Sequence, residues 1–409
     1  MSKKEKVVCG LDVGTEKVCC LIARVRPDES LEVVGSGYAQ SAGLKKGVVV
    51  DLEEAATTIR KAAQEAEQKS RLSVDWVTVG ISGDHIQGFD CHGAVPVNGK
   101  HHEVTAEDIA QVIKAAQSVA IPPDRQIIHV LPQEYFLDNR GDIRNPVGLT
   151  GQRLDVDLHV VTSDSATTQN LINAVNKAQM RVSKVVLPQL AGAQAVLTQD
   201  ERELGTALID IGGGTADIAL IVRDALRYCY VLPVGGMHFT RDLAVGLRTT
   251  IEEAERIKKE SGSVSVDQIA DDEVVEFVGI AARGPRDLPR RHAAEILRAR
   301  AIEMLELIKD RIARSGYRDQ LVSGAVLTGG GSMLDGLLPL AEQILEMPVR
   351  QGLPHSLSGL AEELVHPVYA TAVGLTMFAN QNGGVRRSQN GKANTTPGFI
   401  NRILSWIGN

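Results

Sequence analysis

Nowhere does the chain approach the roughly 20 consecutive apolar residues that a membrane-spanning helix needs, so no span is expected in its 409 residues. The N-terminus, MSKKEKVVCGLDVG, has a short basic start, but Asp12 interrupts the apolar run behind it too early for the core of a secretion signal. These two absences lead to the expectation of a cytoplasmic chain. Cysteine is scarce and odd in number: Cys9, Cys19, Cys20, Cys91 and Cys229. None forms a C-x-x-C pair, so neither a disulfide frame nor a zinc site is expected, and buried thiols in apolar runs are the plain reading. His101 and His102 are adjacent, but no histidine has an i, i+4 partner on a carboxylate-bearing helix, and no zinc ligation is assigned. Excess positive charge is missing too. A formal net charge of −7 argues against a general nucleic-acid binder. Also absent are G-x-x-x-x-G-K-[ST], a G-x-G-x-x-G opening a helix near the start, and G-x-S-x-G. P-loop, dinucleotide-binding and hydrolase-elbow sites are thereby disfavoured.

What is present is a soluble, globular composition, 43% hydrophobic and 23% charged, in a chain long enough for several subdomains. Strand patterns alternate with helix patterns, which predicts an α/β architecture. KVVCGLDVGTEKVCCLIARV reads as strand, turn, strand; the stretch from Asp51 to Ser70 reads as a helix; VDWVTVGIS reads as a strand. Residues Asp84 to Asp164 have their own rhythm and form an expected compact α+β insertion. Its helix is predicted from Thr105 to Val119, with Thr105 and Asp108 as a capping box and IPPD as the stop. In the next helix, Leu171, Ile172, Val175 and Ala178 share one face. A helical, charged region is expected from Thr249 to Ser315, carrying the basic loop ARGPRDLPRR. That loop is read either as a solvated surface or as a site for an acidic peptide tail.

Three glycine-bearing turns carry the chemistry. LDVGTEK holds Asp12, Gly14 and Thr15; IDIGGGTAD holds Asp210, Gly212, Gly213, Gly214 and Thr215, with Asp217 beyond; LTGGGS holds Thr328, Gly329, Gly330, Gly331 and Ser332. The first two share one plan of strand, aspartate, glycine, threonine, strand, a weak internal repeat suggesting two related halves. Each turn alone is compatible with an ordinary β-hairpin. Together they suggest a clamp. Glycine lets backbone N–H groups approach phosphate oxygens closely, and the threonine hydroxyl adds a donor. An aspartate at the strand end repels phosphate but can hold Mg²⁺ through water, which assigns Asp12 and Asp210 to the metal side. The third turn is expected to open a helix against a nucleoside or its phosphates.

With these motifs in view, the chain resembles the actin and Hsp70-type ATPase superfamily. LDVGT and IDIGGGTAD resemble its two phosphate loops, VLTGGGS its adenosine loop, and YATAVGL its second connecting segment. AERIK, with Glu255 and Lys258, resembles the helix bordering adenine and ribose. A closer resemblance is to the family of bacterial cell-division actin homologues named FtsA, carried by LPQEYFLD, NPVGLTGQRLDVDLHVVT and LTQDERELGTALIDIGGGTADIA and covering essentially the whole chain. It implies an actin-like, duplicated ribonuclease H-like ATPase fold in two lobes, with an inserted 1C subdomain and a C-terminal amphipathic helix. The implied parts are 1A at 1–83, 166–190 and 354–380; 1C, SHS2-like, at 84–165; 2A at 191–240 and 316–353; and 2B at 241–315. It implies ATP and Mg²⁺ as ligands, with Gly236, Glu255, Lys258, Gly329, Gly330, Gly331 and Ser332 around the adenosine. It also implies polymerisation and attachment of the tubulin-like division GTPase FtsZ, through its C-terminal tail, to the inner membrane. Later division membrane proteins are further implied partners, and the septal face of that membrane is the implied location. Many relatives carry Glu-Pro where this chain has Pro188-Gln189. Proline cannot position an attacking water, which leaves Gln189 as the candidate catalytic group and slow ATP hydrolysis at most.

Residues 381–396 have almost no apolar side chains and read as a flexible linker. In residues 397–409, a helix would put Phe399, Ile400, Ile403, Leu404, Trp406 and Ile407 on one arc, opposite Asn401, Arg402 and Ser405. Such a helix either docks on its own protein or lies in a membrane interface, and the apolar-free tether favours the second. Arg386, Arg387, Lys392 and Arg402 would attract anionic lipid. The alternative to a membrane-tethered cytoskeletal adaptor is an ATP-dependent sugar or acetate kinase of the same superfamily, which needs neither linker nor anchor.

Overall fold

The computed structural model describes residues 6–280, 284–355 and 357–380. The linker 381–396 and the segment 397–409, including all six apolar arc residues, lie outside the described residues, as does Arg283 of the basic stretch. Among the described residues no helix is long and apolar enough to cross a membrane.

Two five-stranded sheets are built on one plan. In the first, the antiparallel meander Lys6–Val13, Lys17–Val25 and Leu31–Gln40 continues through the parallel strands Trp76–Gly80 and Arg181–Val186, in spatial order fifth, fourth, first, second, third. In the second, Thr206–Ile211, Ala216–Val222 and Ala225–Leu232 form the meander, and Ala325–Thr328 and Val349–Gln351 add in parallel in the same order. The weak sequence repeat is therefore a structural duplication. The central strands read as continuous apolar runs because helices cover them: Leu11, Leu21, Ile22, Ile209 and Leu220 are fully buried. Burial of each contributes on the order of 2 kcal/mol.

Helices Pro188–Val196 and Ala370–Asn380 join the halves and cross closely. A Cβ at Gly374 would lie 1.8 Å from the Ala191 carbonyl oxygen, so only a bare glycine permits this approach. Pro188 sits at the first helical position, where its missing N–H costs nothing.

The insertion is a separate four-stranded sheet, ordered Gln87–Pro96, Arg153–Asp164, Arg125–Leu137, Arg140–Ile143, with its own core under helix Ala106–Ala116. Thr105 caps that helix and Asp108 returns the bond at 2.8 Å, as the capping-box reading expected. The helix stops at Ala116 rather than Val119. Ser118 N–H closes on Ala115 O at 3.2 Å, an i→i−3 bond, and Ser118 Oγ takes the Lys114 carbonyl, so the chain leaves helical geometry before IPPD.

The region from Thr249 to Ser315 is not continuously helical. Helices Ile251–Ser261 and Arg290–Arg314 flank an antiparallel ribbon of Val274–Phe277 and Arg286–Pro289. The expected basic loop is thus largely strand and helix start. Arg290 pairs with Glu273 at 2.6 Å and donates to Ser261 O at 2.8 Å, and Arg291 pairs with Asp271 at 2.9 Å. The pattern that looked like free positive charge is partly neutralised by acids distant in sequence.

Candidate functional site

The two aspartate-glycine turns have the same backbone closure. Gly14 N–H donates to Lys17 O at 2.9 Å in the first, and Gly212 N–H to Thr215 O at 2.8 Å in the second. Each strand end presents its aspartate: Asp12 opposite Cys19, and Asp210 opposite Asp217. The turns face one another across a cavity of about 820 Å³, lined from both halves. Their contact requires glycine. A Cβ at Gly213 would fall 2.2 Å from Glu16 Cγ, and one at Gly214 would fall 2.7 Å from Thr15 Oγ1. Among the described residues the N–H groups of Gly213 and Gly214 have no backbone acceptor, so they remain donors. Thr15 Oγ1 accepts from Gly47 N–H at 3.1 Å, which orients the hydroxyl. Helix Gly236–Leu247 braces the second turn from below: Gly236 and Met237 N–H donate to Gly212 O and Gly213 O at 2.9 and 2.8 Å.

The third turn closes the cavity. Gly329 has φ of 80°, and a Cβ there would strike Asp210 Oδ1 at 2.2 Å. The expected α-helix does not open here. Gly330–Met333 is a 3₁₀ turn, and the α-helix begins only at Leu337. Between them Asp335 bridges Ser263, Val264 N–H donates to Asp335 O at 2.8 Å, and Gly336 adopts φ of 76° to resume the helix. That pairing partner is more than seventy residues away and leaves no mark in the local sequence. Gly331 also lines the cavity, whereas the buried Ser332 hydroxyl turns back to donate to Gly329 O at 2.7 Å. Opposite, Glu255 and Lys258 form a 2.6 Å ion pair, and Lys258 Nζ also donates to Gly236 O at 3.2 Å and Thr240 Oγ1 at 2.9 Å. Gly236, Glu255 and Lys258 thus meet in one cluster on the cavity wall.

Four ionisable groups set the electrostatics. Lys17, absent from the candidates drawn from sequence, ion-pairs with Asp12. Burial opposes its charge, but the Asp12 and Asp210 carboxylates outweigh that and hold the ammonium above its usual range. Burial pushes the Asp210 carboxyl up to about 6, against the hydrogen bond that Thr371 donates at 2.8 Å. Asp217 is pushed up to about 7, by burial first and then by Asp210, despite donors from Ser82 at 2.7 Å and Thr215 at 3.2 Å. Gln189 is 1% exposed and donates to Asp217 Oδ1 at 2.9 Å, while its Oε1 has no partner. A buried unpaired amide oxygen is costly and would be relieved by a donor such as water. Ser82 and Thr371 were not singled out from sequence, and Asp217 was noted beyond the second turn without a role. The signal for Asp217 was its spacing: a two-residue-per-side hairpin register places it directly opposite Asp210.

A consequence follows for stability. Asp217 binds its proton more tightly folded than unfolded, so its ionisation costs stability as pH rises from the unfolded value through about 7. Asp217→Asn keeps the accepting oxygen and removes the charge. In the nucleotide-free protein it is expected to raise Tm by several degrees at pH 8 and by roughly a third as much at pH 5, where the folded wild-type carboxyl is protonated but the unfolded one is ionised. Differential scanning calorimetry at the two pH values checks this.

Among the described residues no three His, Cys, Asp or Glu side chains stand at direct metal-ligand spacing. Separate carboxylates on opposite turns, with hydroxyls nearby, suit a hydrated Mg²⁺ held through its water better than a protein cage. Free N–H donors, glycines bare of Cβ and a buried lysine suit phosphate oxygens. The residues therefore fit a magnesium-bound nucleotide, with Asp12, Asp210 and Asp217 all lining the cavity.

The chain was compared with known proteins. A family profile described as "Cell division protein FtsA" matches residues 207–374, and one described as "SHS2 domain inserted in FTSA" matches residues 83–162. The chain is 40% identical over 408 residues to the cell division protein FtsA of Pseudomonas aeruginosa, covering 98% of this chain and 97% of that one. It is 34% identical over 411 residues to FtsA of Escherichia coli K12, covering 98% and 97%. Among solved structures, a PilM–PilN type IV pilus biogenesis complex aligns with a TM-score of 0.67 at 17% identity, covering 91% of this chain and 98% of that chain. An MreB of Spiroplasma citri bound to ADP aligns with a TM-score of 0.53 at 14% identity, covering 93% and 99%. These structural likenesses establish an actin-like ATPase fold.

Proposed function

The chain belongs to the FtsA family of bacterial cell division proteins, and from that premise we propose that it binds Mg-ATP between its two glycine turns and uses the nucleotide to set a polymer state. The observation that carries this reading is the meeting of two duplicated hairpins, Gly14-Thr15 and Gly212–Thr215, around one cavity with carboxylates at both strand ends. The MreB neighbour described as bound to ADP has the same fold, which supports a nucleotide in that cavity.

In this reading Thr15 and the Gly213 and Gly214 N–H groups receive phosphate oxygens. Lys17 balances charge beside Asp12. Gly236, Glu255 and Lys258 border the ribose and base, with Gly329 and Gly331 closing the opposite wall. Mg²⁺ supplies neutralisation of the phosphates, and Asp12 and Asp210 hold its water. Gln189 and Asp217 together place a buried acceptor pair beyond the phosphate end. Gln189 is already engaged by Asp217, and an amide, which cannot take a proton from water, stands at the head of the connecting helix, which favours slow turnover at most.

The proposed subdomains are 1A at 1–83, 166–190 and 354–380, 1C at 84–165, 2A at 191–240 and 316–353, and 2B at 241–315. The protein is proposed to polymerise on the cytoplasmic face of the inner membrane at the septum, to hold the FtsZ ring there through the FtsZ C-terminal tail, and to recruit later division membrane proteins. Cosedimentation tests the partner. Full-length FtsZ is expected to carry this protein into the pellet with GTP, and FtsZ lacking its C-terminal tail is expected to leave it in the supernatant. Equal pelleting by both forms refutes attachment through the tail.

A further inference from the structure

The inserted domain touches both halves of the molecule. It leaves the chain after strand Trp76–Gly80 and returns before helix Ser165–Lys177, so it belongs covalently to the first half. Its strand Arg125–Leu137 also holds that half from the side: Leu187 N–H, just before Pro188, donates to His129 Nε2 at 3.0 Å. The opposite attachment crosses to the second half. In strand Arg153–Asp164, Leu154, Val156, Leu158 and Val160 enter the core under helix Ala106–Ala116. Alternation turns His159 to the other face, where it is 2% exposed. Asp90 fixes its Nδ1 at 2.7 Å, and its Nε2 lies 3.4 Å from Cys229 Sγ on the edge strand Ala225–Leu232 of the second sheet. Gln133 Nε2 donates to Leu226 O and Arg227 O of the same strand at 3.3 and 3.4 Å. Two ion pairs, Arg144 with Glu203 and Arg223 with Asp142, stand at the rim.

A cysteine, a histidine and a carboxylate in line have the order of a nucleophilic site, but this one is sealed. Cys229 is 6% exposed, and burial pushes its thiol up to about 12. A Cβ at Gly88 would lie 2.4 Å from His159 Nε2 and 2.9 Å from Cys229 Sγ, so backbone fills the space a substrate would need. The arrangement joins two bodies and does not serve chemistry.

We propose that this contact is a latch that makes the inserted domain a further bridge across the nucleotide cleft, closed when the two glycine turns meet and released when the halves part. The proposal rests on the nucleotide reading above. Both attachments lead to the same carboxylate. Strand Ala225–Leu232 pairs with the strand that carries Asp217, Val231 lying opposite it. On the other side, His129 steadies Leu187, two residues before Gln189, which donates to Asp217. Rotation of one half about the two crossing helices moves the edge strand, so the insertion must either follow it or let go. Nucleotide occupancy would thereby set the orientation of a domain well outside the cleft.

The latch carries its own reporter. All five cysteines are buried, and opening this contact uncovers Cys229 without disturbing the sheet that holds Cys9, Cys19 and Cys20. The full chain is labelled with a maleimide in the presence and absence of Mg-ATP, and each cysteine is followed by peptide mass spectrometry. Mg-ATP is expected to slow Cys229 labelling about fivefold and to leave Cys9, Cys19 and Cys20 unchanged. The double variant Arg144→Ala, Arg223→Ala removes only exposed rim contacts. It is expected to speed Cys229 labelling several-fold and to lose most of the nucleotide protection. An unchanged Cys229 rate in a sample whose titration calorimetry shows nucleotide binding overturns the latch. Absence of binding heat overturns the nucleotide reading instead, and the latch then stands or falls on whether the double variant speeds Cys229 labelling.

Discussion

Asp210→Ala is expected to weaken Mg-ATP binding by roughly 100-fold, or ~2.8 kcal/mol, measured by titration calorimetry. Asp210 is half-buried on the cavity wall, it stands where three glycine turns converge, and Gly329 approaches it so closely that no side chain fits between them. Its carboxyl is pushed up to about 6 because burial and the neighbouring Asp12 both disfavour the anion. A divalent cation reverses that balance by supplying the missing positive charge. The loss should therefore depend on magnesium: in excess EDTA, variant and wild type should bind nucleotide with similar, weaker affinity. The variant gives up a charge that burial disfavours and, against that, one hydrogen bond from Thr371, so it should unfold within a few degrees of the wild type, which separates lost binding from lost fold. The pH dependence has a definite sign. Below pH 6 the wild-type carboxyl holds a proton that the cation must displace, so wild-type affinity should fall about tenfold between pH 7 and pH 5, and the variant's profile should be flatter. An Asp210→Ala protein that binds Mg-ATP like the wild type would refute the assignment of this turn to the metal side.

The second large effect concerns the chain end. Deleting residues 397–409 is expected to reduce flotation with anionic liposomes from most of the protein to background, while Mg-ATP binding persists. On a helix, Phe399, Ile400, Ile403, Leu404, Trp406 and Ile407 would form one apolar arc and would carry most of the binding, with Arg402 as the single cation within residues 397–409. Because the attachment is mainly hydrophobic, moderate salt should weaken flotation only slightly. One such segment alone would bind weakly, and the proposed polymer would present many at once, so flotation should also rise steeply with protein concentration. Unchanged flotation of the truncated chain would return the segment to its other reading, a helix docked on its own protein.

Much of this molecule was legible from local pattern. The α/β alternation, the capping box at Thr105 and the turns at Gly14 and Gly212 depend on residues adjacent in sequence, and each was found where the pattern put it. The basic stretch around Arg286–Arg291 is a strand and a helix start rather than a loop, and the acids that pair with it, Asp271 and Glu273, reach it only through the ribbon pairing. The third glycine turn was assigned an α-helix because nothing local announces the bridge between Ser263 and Asp335. Lys17 was passed over for a different reason. A lysine two residues past a phosphate-type turn has an ordinary sequence context, and its importance arises from burial beside Asp12.

The sequence by itself determined the strand-aspartate-glycine hairpins and their repetition, because turn chemistry is set by whether a residue has a Cβ and by the two-residue period of a strand. Only the tertiary structure decided that the hairpins face one another, that Ser82 and Gln189 reach Asp217, and that His159 meets Cys229 across the cleft. Those relations depend on how two duplicated sheets and an inserted domain pack. Packing brings together charges and surfaces from distant positions, and burial then changes what each group can do.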